Sequence, residues 1–287
     1  MGDTPPQPPR TAVVTDSTAS LTQDEAAALG VGVVPLEVVI SGRTGLDIVE
    51  ISSDRVATAL AGSEPVSTSR PAPARFMAAY DRARQTGATE VVSVHLSGEL
   101  SGTVDAARLA ARESTIPVTV IDSRQVGLGA GFAVLTAARM AQSGVGAPQI
   151  ADQVRRICAG TSMLFYVDTL EFLRRGGRIG AASAFLGSVL AVKPLLAVSD
   201  GHIEPVEKIR TSARALARLE DLVVAQAGNG PVRLGVHHLA APERAEKVRA
   251  SLAARLPDAS PILVRELGAV IGAHVGPGVV AVAVSPQ

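Results

Sequence analysis

The sequence predicts an α/β protein in two parts: an N-terminal α/β domain on a parallel sheet over residues 11–160, and a C-terminal α+β domain with a mixed or antiparallel sheet over residues 161–287. Three observations carry this prediction. Between Glu90 and Ser143, β-branched runs alternate with Ala-rich helical stretches, the order that gives a parallel sheet with helices on both faces. Later, apolar runs follow one another around Ser199-Asp200-Gly201, a hairpin turn of the Asp-Gly kind that implies antiparallel pairing. The 287 residues are 47% apolar, enough to bury the core of one large or two modest domains.

The elements follow in order. Thr11 to Thr15 is a β-branched strand running into Asp16-Ser17-Thr18. Thr22 and Glu25 have capping-box spacing ahead of an Ala-rich helix to Leu29. Val31 to Ile40 is a strand region interrupted at Pro35, and Ser53 to Ala61 is a short helix with Asp54 in its first turn. Ser67 to Pro71 reads as a loop and Pro73 to Thr86 as a helix. Strands at Glu90–His95 and Pro117–Ile121 alternate with helices at Ser101–Arg112 and Gly129–Ser143, and a further helix covers Ala147 to Ala159. In the second half, Ser162 to Val167 is a strand, and Asp168 to Arg174 begins a helix that Gly176-Gly177 stops. Pro194–Val198 and Ile203–Lys208 form the hairpin, followed by a helix from Thr211 to Ala227. Val232–Val236, a helix at Pro242–Arg255, Pro261–Glu266 and Val279–Val284 complete the chain.

Composition excludes several function classes. Lys+Arg and Asp+Glu both number 27, so the cationic excess of a nucleic-acid binder is lacking. Aromatic residues are 2% with no Trp, so a cavity here is aliphatic and unsuited to stacking on sugars or bases. Cys158 is the single cysteine, which fits a reducing compartment, and its apolar helix makes it a core residue. Residues 1–10 are polar and Pro-rich, a disordered tail rather than a signal peptide. The uncharged stretch Leu267–Val284 is broken by Gly276, Pro277 and Gly278 and does not read as a membrane span. The expected location is cytoplasmic.

Candidate binding residues gather in three segments. Ser67-Thr68-Ser69-Arg70-Pro71 offers three hydroxyls in a row, which would equally serve as helix caps. Leu96 to Thr103 follows a strand and opens a helix, where Ser101, Gly102 and Thr103 suit either an anion or a cap. It lacks the Gly-Lys pair of a phosphate loop, so a carboxylate or small oxyanion fits better than a nucleotide. Gly272 to Gly278 reads as a Gly-rich bend between two apolar strands, carrying His274. Arg174, Arg175 and Arg178 make a basic spot that a helix C-terminus would itself favour. His237 and His238 are adjacent in a strand and face opposite sides, so they do not share a metal, and no Cys/His spacing fits zinc. No Gly-x-Ser-x-Gly elbow supports a serine hydrolase, and Gly127 to Phe132 lacks dinucleotide spacing.

Taken in order, these motifs resemble the DegV family over nearly the whole chain. Thr15-Asp16-Ser17-Thr18 matches the family's Thr-Asp-Ser, and Ser67 to Pro71 its Thr-Ser-Gln-Pro segment. Leu100 to Thr103 matches Leu-Ser-Gly-Thr, Ile121-Asp122-Ser123 matches Ile-Asp-Ser, and Asp168 to Gly180 matches Asp-Thr-Leu…Arg-Gly-Gly-Arg-Ile. Val192 to Leu196 resembles Ile-Lys-Pro-Ile, and Gly272 to Gly278 resembles Thr-His-x-Gly-Pro-Gly. The chain departs from the pattern at Arg70, where the family commonly has Gln, at Ala273 for Thr and at Ala191 for Asn.

The resemblance implies a two-domain fold with a long acyl chain buried in a tunnel between or within the domains, and no cofactor. It further implies a carrier rather than a self-sufficient enzyme, one that presents a fatty-acid carboxyl to a separate ATP-dependent fatty acid kinase for phospholipid synthesis. Carried over by motif, Thr68, Ser101 and His274 would bind the carboxylate, supported by Ser69, Gly102 and Thr103. Arg178 and Arg210 would dock the kinase. A monomer that makes transient membrane contact is the default expectation. Two other readings are a stand-alone hydrolase or acyl-transfer enzyme using Ser101 and His274, and a lipid sensor with no kinase partner.

Overall fold

The structure, a computed structural model, describes residues 10–185, 192–228, 230–259 and 261–287. The expected N-terminal tail, Arg10 apart, and the Ala191 departure lie outside these residues.

Strand β1 (Thr11–Asp16) leads into helix α1 (Gln23–Leu29), whose capping box is made. The Glu25 N–H donates to Thr22 Oγ1 at 3.1 Å, and the Thr22 N–H donates to Glu25 Oε2 at 2.9 Å. Pro35 divides the next apolar run into β2 (Val31–Val34) and β3 (Glu37–Ile40), which join different sheets. Then come β4 (Arg43–Leu46), α2 (Ser53–Ala61), β5 (Val66–Ser69) and α3 (Pro73–Gln85). They are followed by β6 (Glu90–His95), α4 (Thr103–Glu113), β7 (Val118–Asp122), α5 (Leu128–Gln142) and α6 (Ala147–Gly160). The second half holds β8 (Ser162–Tyr166), the short α7 (Glu171–Arg175), β9 (Lys193–Ser199) and β10 (His202–Ile209). It ends with α8 (Ser212–Ala227), β11 (Val232–His238), α9 (Pro242–Arg255), β12 (Ile262–Glu266), α10 (Ala269–Val275) and β13 (Val280–Pro286).

The expected parallel sheet is present, in the order β2-β1-β6-β7. Phe76 and Tyr80 of α3 and Ala106 and Ala107 of α4 cover one face, and the Ala-rich side of α5 with Ile150 and Val154 of α6 covers the other. The second sheet, β10-β9-β8-β13-β11-β12, is antiparallel except for the β11–β12 pair, and so is mixed. Asp200 and Gly201 turn its first hairpin with φ of 47° and 82°, as a type I′ turn requires. Period-2 alternation divides this sheet's side chains cleanly. Leu164, Tyr166, Val280 and Val282 point to the face covered by α8 and α9. Met163, Phe165, Ala281 and Ala283 point to the other face, toward the first half of the chain.

Four readings change. The first half also contains a small antiparallel sheet, β4-β3-β5, that the sequence did not announce. Ser67–Pro71 is not wholly a loop, because Ser67 to Ser69 pair with β3 as an edge strand. Its hydroxyl side chains alternate in burial without alternating in polarity, which hides the period. Gly272 to Gly278 is not a bend between two strands, since His274 lies in the last turn of α10. Both α4 and α7 begin later than expected: Gly102 caps α4, which leaves Ser101 in the preceding turn, and α7 starts only at Glu171.

Candidate functional site

The site begins with the strand register. Pairing of Thr68 opposite Val38 puts Thr68 on the face of the small sheet where Val38 packs against Ala269, Val270 and Ala273 of α10. The buried Asp47 carboxylate accepts the Ala269 N–H at 2.8 Å and the Ser17 hydroxyl at 2.7 Å, so the start of α10 is tied to the end of β1. Burial raises the Asp47 pKa against the hydrogen bonds that lower it. At the other end of α10, His274 Nε2 lies 2.8 Å from Thr68 Oγ1.

His274 is largely but not wholly buried. Its Nδ1 is buried without a partner and packs against Gly176, where an added Cβ would sit only 2.1 Å away. Burial, reinforced by the Arg178 charge, pushes its pKa down to about 4. The ring is therefore neutral near pH 7 and carries one proton. With that proton on Nε2, the ring donates to Thr68 Oγ1. With it on Nδ1, a buried N–H would have no acceptor, which folded proteins tolerate less well than a bare acceptor. The first tautomer leaves the Thr68 hydroxyl hydrogen free to donate elsewhere.

Thr68, Ser69, Arg70, Ser101, Arg178 and His274 all line one cavity. Ser101 Oγ lies 2.8 Å from Thr103 Oγ1 in the turn before α4. Thr103 is fully buried behind Ser101 and supports it rather than facing the cavity. The Ser69 hydroxyl donates to Glu37 Oε2 at 2.9 Å, and Glu37 also pairs with Arg75. Arg178 is half-buried, its guanidinium donating to Leu100 O at 3.0 Å and Gly176 O at 2.6 Å, which joins the Ser101 turn to the end of α7. Arg210 is exposed just before α8, away from this group. Gly102 also lies outside the cavity wall.

Beyond the polar end the cavity is aliphatic. Met163 and Phe165 on β8, Val198 on β9, Ile203 on β10 and Ala281 on β13 form one wall, and Leu36, Leu267 and Val270 form another. Sequence reasoning did not single out these residues, although the alternation along β8 is their signal. About 880 Å3 of free space, open solvent included, lies in this slot between the walls. No Asp or Glu is among the described lining residues, while two arginines are. His237 also lines the slot. It accepts the Leu128 N–H at Nε2, so its proton is on Nδ1, facing Arg265 O, and burial lowers its pKa to about 4.

Other motif residues do structural work elsewhere. Asp168 accepts bonds from Tyr166, from Lys193 at 3.1 Å and from Arg244 at 3.1 Å. Burial opposes its ionisation, but these bonds outweigh that and hold the carboxyl below its usual range. Arg244 also holds Gly278 O, so three distant motifs are tied into one knot. Cys158 packs in the core and burial pushes its thiol up to about 12, far from a reactive thiolate. Among the described residues no cluster of His, Cys, Asp and Glu could hold a metal, and no helix is long and apolar enough to cross a membrane.

Comparison with known proteins follows the same lines. The sequence profile described as "Uncharacterised protein, DegV family" matches residues 10–287. A DegV domain-containing protein of Streptomyces coelicolor is 49% identical over 96% of this chain and 98% of its own length. A DegV family protein from Thermus thermophilus, whose structure is described as fatty-acid binding, superposes with a TM-score of 0.92 at 36% identity, covering 97% of this chain and all of the other. DegV from Bacillus subtilis, described as a fatty acid binding protein, superposes at 0.89 with 32% identity, covering 97% of this chain and 99% of its own. With its profile matched from Arg10 to the last residue and its fold shared throughout, this chain belongs to the DegV family.

Proposed function

We propose that this protein is a carrier that buries a long-chain fatty acid in the aliphatic slot and presents its carboxyl to a separate ATP-dependent fatty acid kinase, whose acyl phosphate feeds phospholipid synthesis. The observation that carries the reading is the slot itself: aliphatic over most of its lining, with hydroxyls, an imidazole and two arginines gathered at one end and no acidic residue among the described lining residues. The binding described for the Thermus thermophilus and Bacillus subtilis relatives supports it.

The tail supplies the affinity. At about 0.8 kcal/mol per buried methylene, roughly fourteen methylenes gain on the order of 11 kcal/mol before the costs of binding. The head group decides orientation. An ionised carboxylate in a dry slot needs hydrogen bonds or it takes up a proton. Thr68 and Ser101 supply hydroxyl donors. Neutral His274 acts through Thr68, its Nε2–H filling one lone pair of Oγ1 so that the hydroxyl hydrogen turns to the carboxylate. Thr103 sets the Ser101 hydroxyl, and Gly102 and Ser69 shape the loops beside it. Arg178 braces those loops, and exposed Arg210 is a docking cation for the kinase. A hydrolase would need His274 beside Ser101 as its base, whereas the imidazole bonds Thr68 and Ser101 bonds Thr103.

Native purification, organic extraction and mass spectrometry test the reading. The expected result is stoichiometric fatty acid, and added kinase with ATP then converts it to acyl phosphate. Well-folded protein that yields an empty extract and takes up neither palmitate nor oleate would overturn it.

A further inference from the structure

Two guanidinium groups line the slot, and they are not equivalent. Arg178 is fixed by two bonds to backbone, from Nε to Leu100 O and from Nη1 to Gly176 O. Arg70 makes no hydrogen bond or ion pair with any described residue. Yet its side chain does not extend away from the fold. It lies across Gly102, where an added Cβ would meet Arg70 Nη1 at 2.5 Å and Cδ at 3.0 Å. Only a residue without a side chain at 102 lets the arginine lie so close to the turn that carries Ser101. Directly after the strand that holds Thr68, and lying against the turn that holds Ser101, Arg70 joins the segments that carry the two hydroxyls of the polar end. Its five N–H donors have no partner among the described residues, and a guanidinium matches a carboxylate in two-pronged geometry.

We propose that Arg70 is a direct ligand of the bound carboxylate, closing over the head group from the Gly102 side and making this site a charge-paired one rather than one built on neutral donors alone. The inference rests on the fatty-acid reading above. The other charged or titratable groups facing this end are Arg178, which braces the loops, His274, neutral above about pH 5, and Glu37, held by Ser69 and Arg75. His237 also lines the slot, with both ring nitrogens turned to backbone. Of the two cations lining this end, Arg178 is pinned to backbone carbonyls and Arg70 has no partner among the described residues.

The test is carbon-13 NMR of carboxyl-labelled palmitate bound to the full chain, titrated between about pH 5 and 8, above the range where His274 would protonate. In the wild type the bound carboxyl should stay ionised across the range. In Arg70→Gln the carboxyl should begin to protonate at the acid end of the range, its pKa raised by on the order of one pH unit, discounted from a buried pair because Arg70 is exposed. Arg70→Lys should restore most of the shift. Salt should weaken wild-type binding more than that of Arg70→Gln. A bound signal whose pH profile and salt dependence are the same in wild type and Arg70→Gln would overturn the role of Arg70 and leave the carrier reading intact. A wild type with no bound carboxyl signal would overturn both.

Discussion

At the scale of single residues, the site turns on one contact, His274 Nε2 to Thr68 Oγ1 at 2.8 Å. If the imidazole acts through the threonine, the two side chains should behave as one unit in binding. Thr68→Val keeps the shape and removes the hydroxyl, so palmitate affinity should fall about tenfold, the effect of one lost hydrogen bond to a charged group. His274→Ala should cost a similar amount, because Thr68 then loses its orientation. The double variant should bind scarcely worse than either single one, a coupling that a double-mutant cycle by calorimetry would read directly. Additive losses would mean that each side chain contacts the carboxylate on its own.

At the scale of elements, Thr68 and His274 are brought together by two pieces of structure that the sequence hid, for different reasons. The edge strand β5 carries serine and threonine at three of its four positions, so its alternation in burial has no counterpart in polarity. Helix α10 is short, contains Gly272 and lies in a stretch without charges, so neither a polar face nor a capping side chain marks it. Its cap comes from Asp47, far away in sequence. Where the signals are local, as in the Thr22–Glu25 box, the Asp200-Gly201 turn and the Pro242 helix start, the elements are legible from residues alone. The candidate residues were legible as motifs, but their contacts were not, since the pairing of Thr68 with His274 spans 206 positions. The seam between α7 and α10 yields a further prediction. Gly176 has ordinary helical dihedrals, so Gly176→Ala strains no backbone. Its methyl would instead collide with the His274 ring. The expected cost is about 1–3 kcal/mol of overpacking together with weaker fatty-acid binding, read by thermal melts with and without palmitate. Retention of wild-type affinity would show that the ring has room to move without losing Thr68.

At the scale of the whole molecule, two imidazoles in the slot wall couple stability to pH. His274 and His237 are each held neutral by burial, with pKa values near 4, against about 6.5 in the unfolded chain. Between those values the unfolded state binds more protons than the folded one, so stability rises with pH across this window and falls on acidification through it. Each ring contributes at most roughly 3 kcal/mol to that slope, from the distance between the two pKa values. His238 is shifted in the same direction by burial, although Glu266 opposes it. Buried Asp47 acts with the opposite sign: its raised pKa means that the folded state takes up a proton more readily than the unfolded one, so acid relieves a cost there. The net acid loss is therefore smaller than the sum over the imidazoles. Urea midpoints at pH 5 and pH 7.5 should show the wild type losing stability at the lower value. His274→Gln should lose less over the same interval, whatever its stability at pH 7.5, because one proton has been removed from the linkage. His237→Asn should flatten the slope in the same way while being less stable at both pH values, since the Leu128 N–H then depends on a shorter side chain for its acceptor. Slopes equal to that of the wild type in both variants would mean that neither imidazole titrates with unfolding, and the loss over this interval would then point to His238, since the lowered pKa of Asp168 confines its linkage to more acid pH.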